Sequence, residues 1–368
     1  KTQGKPVLVV GGGIGGMAAA LALAQAGNKV EVFEQAAEIG EIGAGIQLGP
    51  NAFTAMDALG VGEAARRRAV YTDFMVMMDA IDASEVARIP VGEEFRARFR
   101  NPYAVIHRAD IHLSIYEGVQ QDDRITVHTN TRITNIDLRD DGVTATDQNG
   151  RRFEGAALLG ADGGRSVARQ LLVGDSHRVS GHVVYRAVVA RDEMPADLRW
   201  NAAAIWVGPN CHLVHYPLRG GEQYNIVVTF HSRENEQWGV REGSREEVQS
   251  YFTEIAAKPR ELLDKAESWK RWATADRDPA EQWGRGRATL LGDAAHPMLQ
   301  YLAQGACMAI EDAVTLREAL RATGGNLEQA FRLYESRRIV RTARVVLSAR
   351  EMGRIYHAKG IEIGRAHV

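Results

Sequence analysis

The sequence predicts an α/β fold: a Rossmann-like dinucleotide-binding domain, a second domain on a mixed β-sheet, and C-terminal helices. Three observations carry this reading. Residues 6–10 (PVLVV) form an apolar run that leads at once into Gly11-Gly12-Gly13-Ile14-Gly15-Gly16. Two later apolar runs, 156–162 and 287–293, each end in an aspartate, Asp162 and Asp293. Residues 178–231 are rich in alternating β segments.

The first element sets the pattern. A short, wholly apolar run suits a buried parallel strand. An alanine-rich helix follows and ends at Gly27, and a second strand over 29–33 closes on Glu34, 18 residues past Gly16. This is a dinucleotide fingerprint in its required strand–turn–helix–strand context. Gly11 permits the tight turn. Gly13 removes the Cβ that would block a pyrophosphate, and Gly16 lets the helix pack close to the sheet. The helix N-terminus, with Ile14 and Gly15, offers free N–H groups and partial positive charge. Glu34 is placed to accept hydrogen bonds from ribose hydroxyls. The motif alone does not separate FAD from NAD.

Helical patterns are predicted over 15–26, 52–59, 110–120, 245–257, 304–322 and 327–356. Period-2 segments lie at 132–138 and 143–146, and Asn149-Gly150 is a hairpin signal before the run 153–160. Alternation at 182–189, 203–207, 212–216 and 224–230 predicts the mixed sheet. Within 212–216, His212, Val214 and Tyr216 share one face and His215 takes the other. The expected organisation is a discontinuous dinucleotide domain over 1–71, 101–176 and 278–325, with a second domain over 72–100 and 177–277. A helical segment follows over 326–361.

Composition excludes several classes. Of 368 residues, 45% are hydrophobic and 25% charged, as in an ordinary globular chain. Lys+Arg is 45 against Asp+Glu 47, a net charge of -2, so the basic excess of a nucleic-acid binder is missing. Cys211 and Cys307 are too few for a disulfide framework or a Cys-rich zinc site, and read as packing residues. No apolar stretch approaches the ~20 residues of a membrane span. A cytoplasmic location is expected. Residues 74–78 (FMVMM) read as buried strand. Trp269-Lys270-Arg271-Trp272 reads as core plus rim. Arg337, Arg338, Arg341, Arg344 and Arg350 read as a solvated or interface face of the last helix.

The three motifs in this order and spacing resemble the flavin-dependent aromatic hydroxylases, the class A flavoprotein monooxygenases. The resemblance runs from Val7 to about Gly360. It implies a p-hydroxybenzoate hydroxylase-like fold with tightly held, non-covalent FAD and NADH as transient reductant. A single GxGxxG fits one resident dinucleotide. By the resemblance, Asp293 holds the ribityl chain and Asp162 organises the pyrophosphate region. Arg108 lies near the FAD phosphates and ribityl chain. The helix from Gly305-Ala306 aims its N-terminus at the flavin ring.

Two segments, 208–221 and 296–305, most resemble the branch that converts 3-hydroxybenzoate to gentisate through a flavin C4a-hydroperoxide. His212 is then the base at the phenol, Gln300 fixes the phenol or carboxylate, and Tyr216 completes the polar contacts. His296 shapes a turn. Arg186 and Arg219 are weaker candidates for the carboxylate. Salicylate and 6-hydroxynicotinate are the alternative substrates. An NAD-dependent dehydrogenase and a non-enzymatic flavin-binding or membrane-associated module are the remaining alternatives. A homodimer is expected, with no nucleic acid, no membrane span and no metal. Glu362–Val368 (EIGRAHV) matches the translation of a common sequencing adapter and is expected to be non-native.

Overall fold

The computed structural model describes residues 4–40 and 43–359, so the tail Glu362–Val368 lies outside the described residues. Five parallel strands form the first sheet, in the spatial order Ala288–Leu290, Ala157–Gly160, Val7–Val10, Val30–Phe33 and Ile125–His128. The three central strands consist almost wholly of buried residues, as sheets covered on both faces require. The helix Ile14–Gln25 packs on this sheet through an unbroken buried run from Gly16 to Ala24. The alanines in that run keep the helix thin, so its axis sits close to the strands.

Register decides where the chemistry gathers. Val10 pairs with Gly160 and Phe33, and Gly160 pairs with Leu290. The glycine turn, Glu34, Asp162 and Asp293 therefore all leave the sheet at the same carboxyl edge, where open α/β sheets bind ligands.

An eight-stranded sheet lies beyond that edge. Its order is Gly239–Glu242, Lys270–Asp276, Arg178–Ala190, Gln223–His231, Cys211–Leu218, Ala202–Gly208, Phe74–Asp79 and Glu85–Pro90. All neighbours are antiparallel except Ala202–Gly208 with Phe74–Asp79. Its far face buries Val76, Tyr185, Trp206, Leu213, Ile226, Val228 and Phe230 in a core of its own. The first sheet packs in a separate core. The helix Leu327–Tyr356 runs beside both and ends beneath the larger sheet, where Asn210 N–H donates to the His357 carbonyl at 2.9 Å. No helix among the described residues is long and apolar enough to cross a membrane.

Two local expectations are corrected. The helix predicted over 245–257 is two helices, Arg245–Tyr251 and Ala257–Leu262. The chain turns between them to bury Phe252 and Ile255, and the Ala256 N–H leaves helical bonding to donate to Ala80 O at 2.7 Å. The run 153–160 is also two strands: Arg152–Gly155 pairs in an antiparallel three-stranded sheet, and Ala157–Gly160 in the parallel one.

A buried ion network fixes the helix Gly305–Ala322 against its neighbours. Asp312 accepts from Arg338 Nε at 2.6 Å, from Gly292 N–H at 3.1 Å, and pairs with His296 Nε2 at 2.5 Å. Burial alone would raise the Asp312 carboxyl pKa, but His296 and Arg338 hold it below its usual value of 3.8. The stabilisation is therefore present above pH ~4 and lost as pH falls through the depressed folded value. Arg338→Met leaves Asp312 buried without its guanidinium. It is expected to lower unfolding free energy by about 3–5 kcal/mol in denaturant titration at neutral pH. A loss under about 1 kcal/mol would contradict this account.

Candidate active site

A cavity of about 1430 Å³ runs from the glycine turn to the near face of the eight-stranded sheet. That exceeds the usual ~300–1,000 Å³ of a single small-molecule pocket and leaves room for a dinucleotide and a second ligand together. Gly11, Gly13, Ile14, Gly15, Glu34, Arg108, Asp162, Asp293, Gly305 and Ala306 line the cavity. His212, Tyr216 and Gln300 line the same cavity. Gly16 lies just behind, fully committed to packing: a Cβ there would sit 1.9 Å from Gly11 O.

The glycine turn is held from two sides. His112 Nε2 lies 2.8 Å from Gly12 O, and Glu34 accepts from Gly12 N–H at 2.9 Å and from Ala36 N–H at 2.8 Å. Asp162 is more occupied than the motif suggests. Its carboxylate accepts from Ser166 Oγ, from Val167 N–H at 2.8 Å and from Ala168 N–H at 3.4 Å, so it braces the first turn of the helix Val167–Leu172, whose N-cap is Ser166. Burial raises its pKa. Asp293 instead remains exposed within the cavity. Arg169 joins the two aspartate motifs: it pairs with Asp175 at 2.6 Å and donates to the carbonyls of Ala294 and Ala295 at 3.1 and 2.7 Å.

The sheet face follows from strand alternation. Arg186, Val227, Val214, Ile205 and Met77 form one cross-strand row, and all line the cavity. His212 and Tyr216 flank Val214 on the same face. His215 lies on the opposite face, where its Nε2 accepts from Trp206 Nε1 at 3.0 Å. The run 74–78 is thus buried strand on one side only: Val76 and Met78 are core, whereas Met75 and Met77 face the cavity.

His212 is buried, and burial together with nearby His182 and His231 pushes its pKa down to about 3. It is therefore a neutral imidazole at physiological pH. Its Nδ1 is 2.7 Å from His357 Nε2, which leaves Nε2 for a ligand. Gln300 Nε2 is buried without a hydrogen-bond partner. Tyr216 packs over Gly45, where a Cβ would meet Tyr216 Cε2 at 2.5 Å, and burial raises the Tyr216 phenol pKa.

Of the two weaker arginine candidates, Arg219 is committed to Asp110 at 3.1 Å on the surface. Arg186 lines the cavity with its guanidinium over the Trp272 ring, 5.5 Å from the centroid. Sequence reasoning missed Tyr103, which donates to Gln47 Oε1 in the cavity wall, and His357. It also missed the use of the basic helix: Arg338, Arg341 and Arg350 pair internally with Asp312, Glu311 and Asp276.

A family model described as FAD binding domain matches residues 5–349. The 3-hydroxybenzoate 6-hydroxylase of Polaromonas naphthalenivorans (strain CJ2) is 66% identical over 357 residues, covering 97% of this chain and 89% of that protein. The 3-hydroxybenzoate 6-hydroxylase of Klebsiella oxytoca is 60% identical over 355 residues, covering 96% and 89%. The crystal structure of Klebsiella pneumoniae HpxO complexed with FAD and uric acid superposes with a TM-score of 0.86 at 26% identity, covering 100% of this chain and 92% of that one. A match over this span and likeness of this depth place the chain in the FAD binding domain family, among its flavin-dependent aromatic monooxygenases.

Proposed function

We propose that the protein hydroxylates 3-hydroxybenzoate to 2,5-dihydroxybenzoate (gentisate), with NADH and O2 as co-substrates. The observation that carries this reading is the lining of the cavity: a neutral His212 whose Nε2 is left for a ligand, together with Tyr216 and Gln300. The relatives named for this reaction support it.

Other residues of the lining fit FAD. The turn at Gly11 packs so closely on the next strand end that a Cβ would stand 2.2 Å from Ala161 O, with φ +105°, which fixes the glycine turn at the carboxyl edge. Its neighbours Gly13, Ile14 and Gly15 would hold the pyrophosphate, Glu34 the adenosine ribose, and Arg108 and Asp293 the phosphates and ribityl chain. Asp162 would act indirectly, by fixing its loop. The first turn at Gly305 and Ala306 would face the flavin ring. The division into a discontinuous FAD domain (1–71, 101–176, 278–325) and a substrate domain (72–100, 177–277) is part of the proposal, supported by the two separate cores.

When bound, FAD supplies O2 activation and an electrophilic oxygen atom. The chain supplies the rest. His212 Nε2 takes the phenolic proton, because a phenolate donates electron density to its ortho and para carbons far better than a phenol. In 3-hydroxybenzoate the para carbon is C6, which gives gentisate. Gln300 donates to the phenolate or carboxylate oxygen. Arg186 and Arg108 make the cavity positive, and Arg186 faces the carboxylate. The apolar row Val227–Val214–Ile205–Met77 excludes water from the ring.

Substrate-stimulated NADH oxidation tests the reading across 3-hydroxybenzoate, salicylate and 6-hydroxynicotinate. Stimulation by 3-hydroxybenzoate at the highest kcat/KM is the expected result. Preference for either other acid overturns the assignment. Arg186→Gln is expected to weaken 3-hydroxybenzoate binding by about 10–100-fold, the loss of one charge-assisted hydrogen bond, in titrations of FAD absorbance. Unchanged affinity would remove Arg186 from the site.

A further inference from the structure

The base proposed above sits at the end of a line of imidazoles. His212 Nδ1 is 2.7 Å from His357 Nε2, and His357 Nδ1 is 2.7 Å from His231 Nε2. His212 faces the cavity, His357 is buried and His231 is partly exposed. Three elements meet here: the strand Cys211–Leu218, the C-cap of the helix Leu327–Tyr356, and the end of the strand Gln223–His231. Backbone bonds clip them together. Asn210 N–H donates to His357 O, and His231 N–H to Asn210 O, both at 2.9 Å.

The polarity of the chain is uniform. Each imidazole meets the next through its own Nδ1 and its neighbour's Nε2. A neutral imidazole carries one N–H and one lone pair, so it donates and accepts at once. If every member holds its proton on Nδ1, the lone pair of His212 Nε2 faces the cavity. If every member holds it on Nε2, the lone pair of His231 Nδ1 is the free one. The two states differ by the shift of one proton along the whole line.

We infer that His357 and His231 form a proton relay that carries the phenolic proton from His212 to solvent. The inference rests on the reading of His212 as the base. In the step, the substrate O–H bond breaks and His212 Nε2 gains the proton. The Nδ1 proton of His212 passes to His357 Nε2. The Nδ1 proton of His357 passes to His231 Nε2, and the Nδ1 proton of His231 leaves to water. The phenolate keeps the electron pair, and no imidazole rests charged. His212 needs such an exit. Burial leaves it a poor resting place for a proton taken from a phenol that ionises near ~10.

The same histidines do not read as a metal site. His182, His231 and His357 bring nitrogens within 4.8 Å of one another. Two ligands of one tetrahedral zinc stand about 3.3 Å apart at Zn–N near ~2.0 Å, whereas His231 and His357 are in hydrogen-bond contact at 2.7 Å. His182 Nδ1 is engaged by Tyr301 Oη, and its ring lies stacked on His231 at 4.3 Å. Around the line, the titratable and charged groups among the described residues are His182, Tyr301, Tyr356 and, acting on His182, Arg178.

The test uses the oxidised FAD-loaded full chain, with no turnover. 3-Hydroxybenzoate is bound, the pH is jumped between 6 and 9, and the phenolate absorbance of the bound acid is followed by rapid mixing. His357→Gln and His231→Gln should reach the same end-point with unchanged Kd, but at least ~10-fold more slowly. Millimolar imidazole should restore the rate in His231→Ala. Wild-type rates in both glutamine variants overturn the relay. Slowing in His357→Gln alone also overturns it, because His357 then only orients His212. If His212→Ala ionises the acid at the wild-type rate, the reading of His212 falls and takes the relay with it.

Discussion

His212→Ala is expected to lose gentisate formation by about two to four orders of magnitude, the range a positioned general base supplies. FAD binding should hold, because His212 belongs to the eight-stranded sheet and the glycine turn to the parallel one. Among the described residues that line the cavity, the variant removes the only imidazole, and with it a hydrogen-bond partner of His357. NADH consumption should therefore separate from product, with H2O2 taking its place. The check is gentisate and H2O2 measured together at fixed FAD occupancy. Gentisate within about threefold of wild type would remove His212 from the chemistry. Gln300 and Tyr216 cannot take its place, since an amide does not act as a base and burial keeps the Tyr216 phenol protonated.

Gly11→Ala is expected to abolish FAD retention. The added Cβ would stand 2.2 Å from Ala161 O and 2.7 Å from Ala161 C, both backbone atoms of the adjacent strand end. Such atoms cannot swing aside as a side chain does. The φ of +105° adds strain of about 1–3 kcal/mol for any residue with a Cβ. The turn must open, and the phosphate cradle opens with it. Gly27→Ala is the control. Its φ is +93°, but nothing lies within 4 Å of the new Cβ. It should cost about 1 kcal/mol and leave the protein yellow. Equal FAD retention in the two variants would contradict the cradle.

The parts legible in the sequence are those set by local rules. The glycine turn, the aspartate at each strand end and the alternation over 212–216 are short-range patterns, and the structure brings them to one edge and one face. The last helix is readable to its end at Tyr356 because thirty residues keep one period. The break after Tyr251 is not, because it is driven by the burial of Phe252 and Ile255 against a distant sheet. The short strands Gly45–Leu48 and Ala104–His107 carry too few residues for an alternation signal. Asp162 reads in the sequence as an organiser of the pyrophosphate region, and its bonds to Ser166 and Val167, which tie it to the next helix, carry no signal in the motif. His357 gives no signal at all. Nothing local distinguishes a histidine at a helix C-terminus from a capping residue, and its partners lie 126 and 145 positions away.

The most direct test of the account is product stoichiometry with FAD-loaded protein, NADH, O2 and 3-hydroxybenzoate. Gentisate formed in near-equal yield to NADH consumed is the result predicted, since it requires cradle, base and closed pocket to work together. NADH oxidised to H2O2 with no gentisate, or hydroxylation at any carbon other than C6, would contradict it.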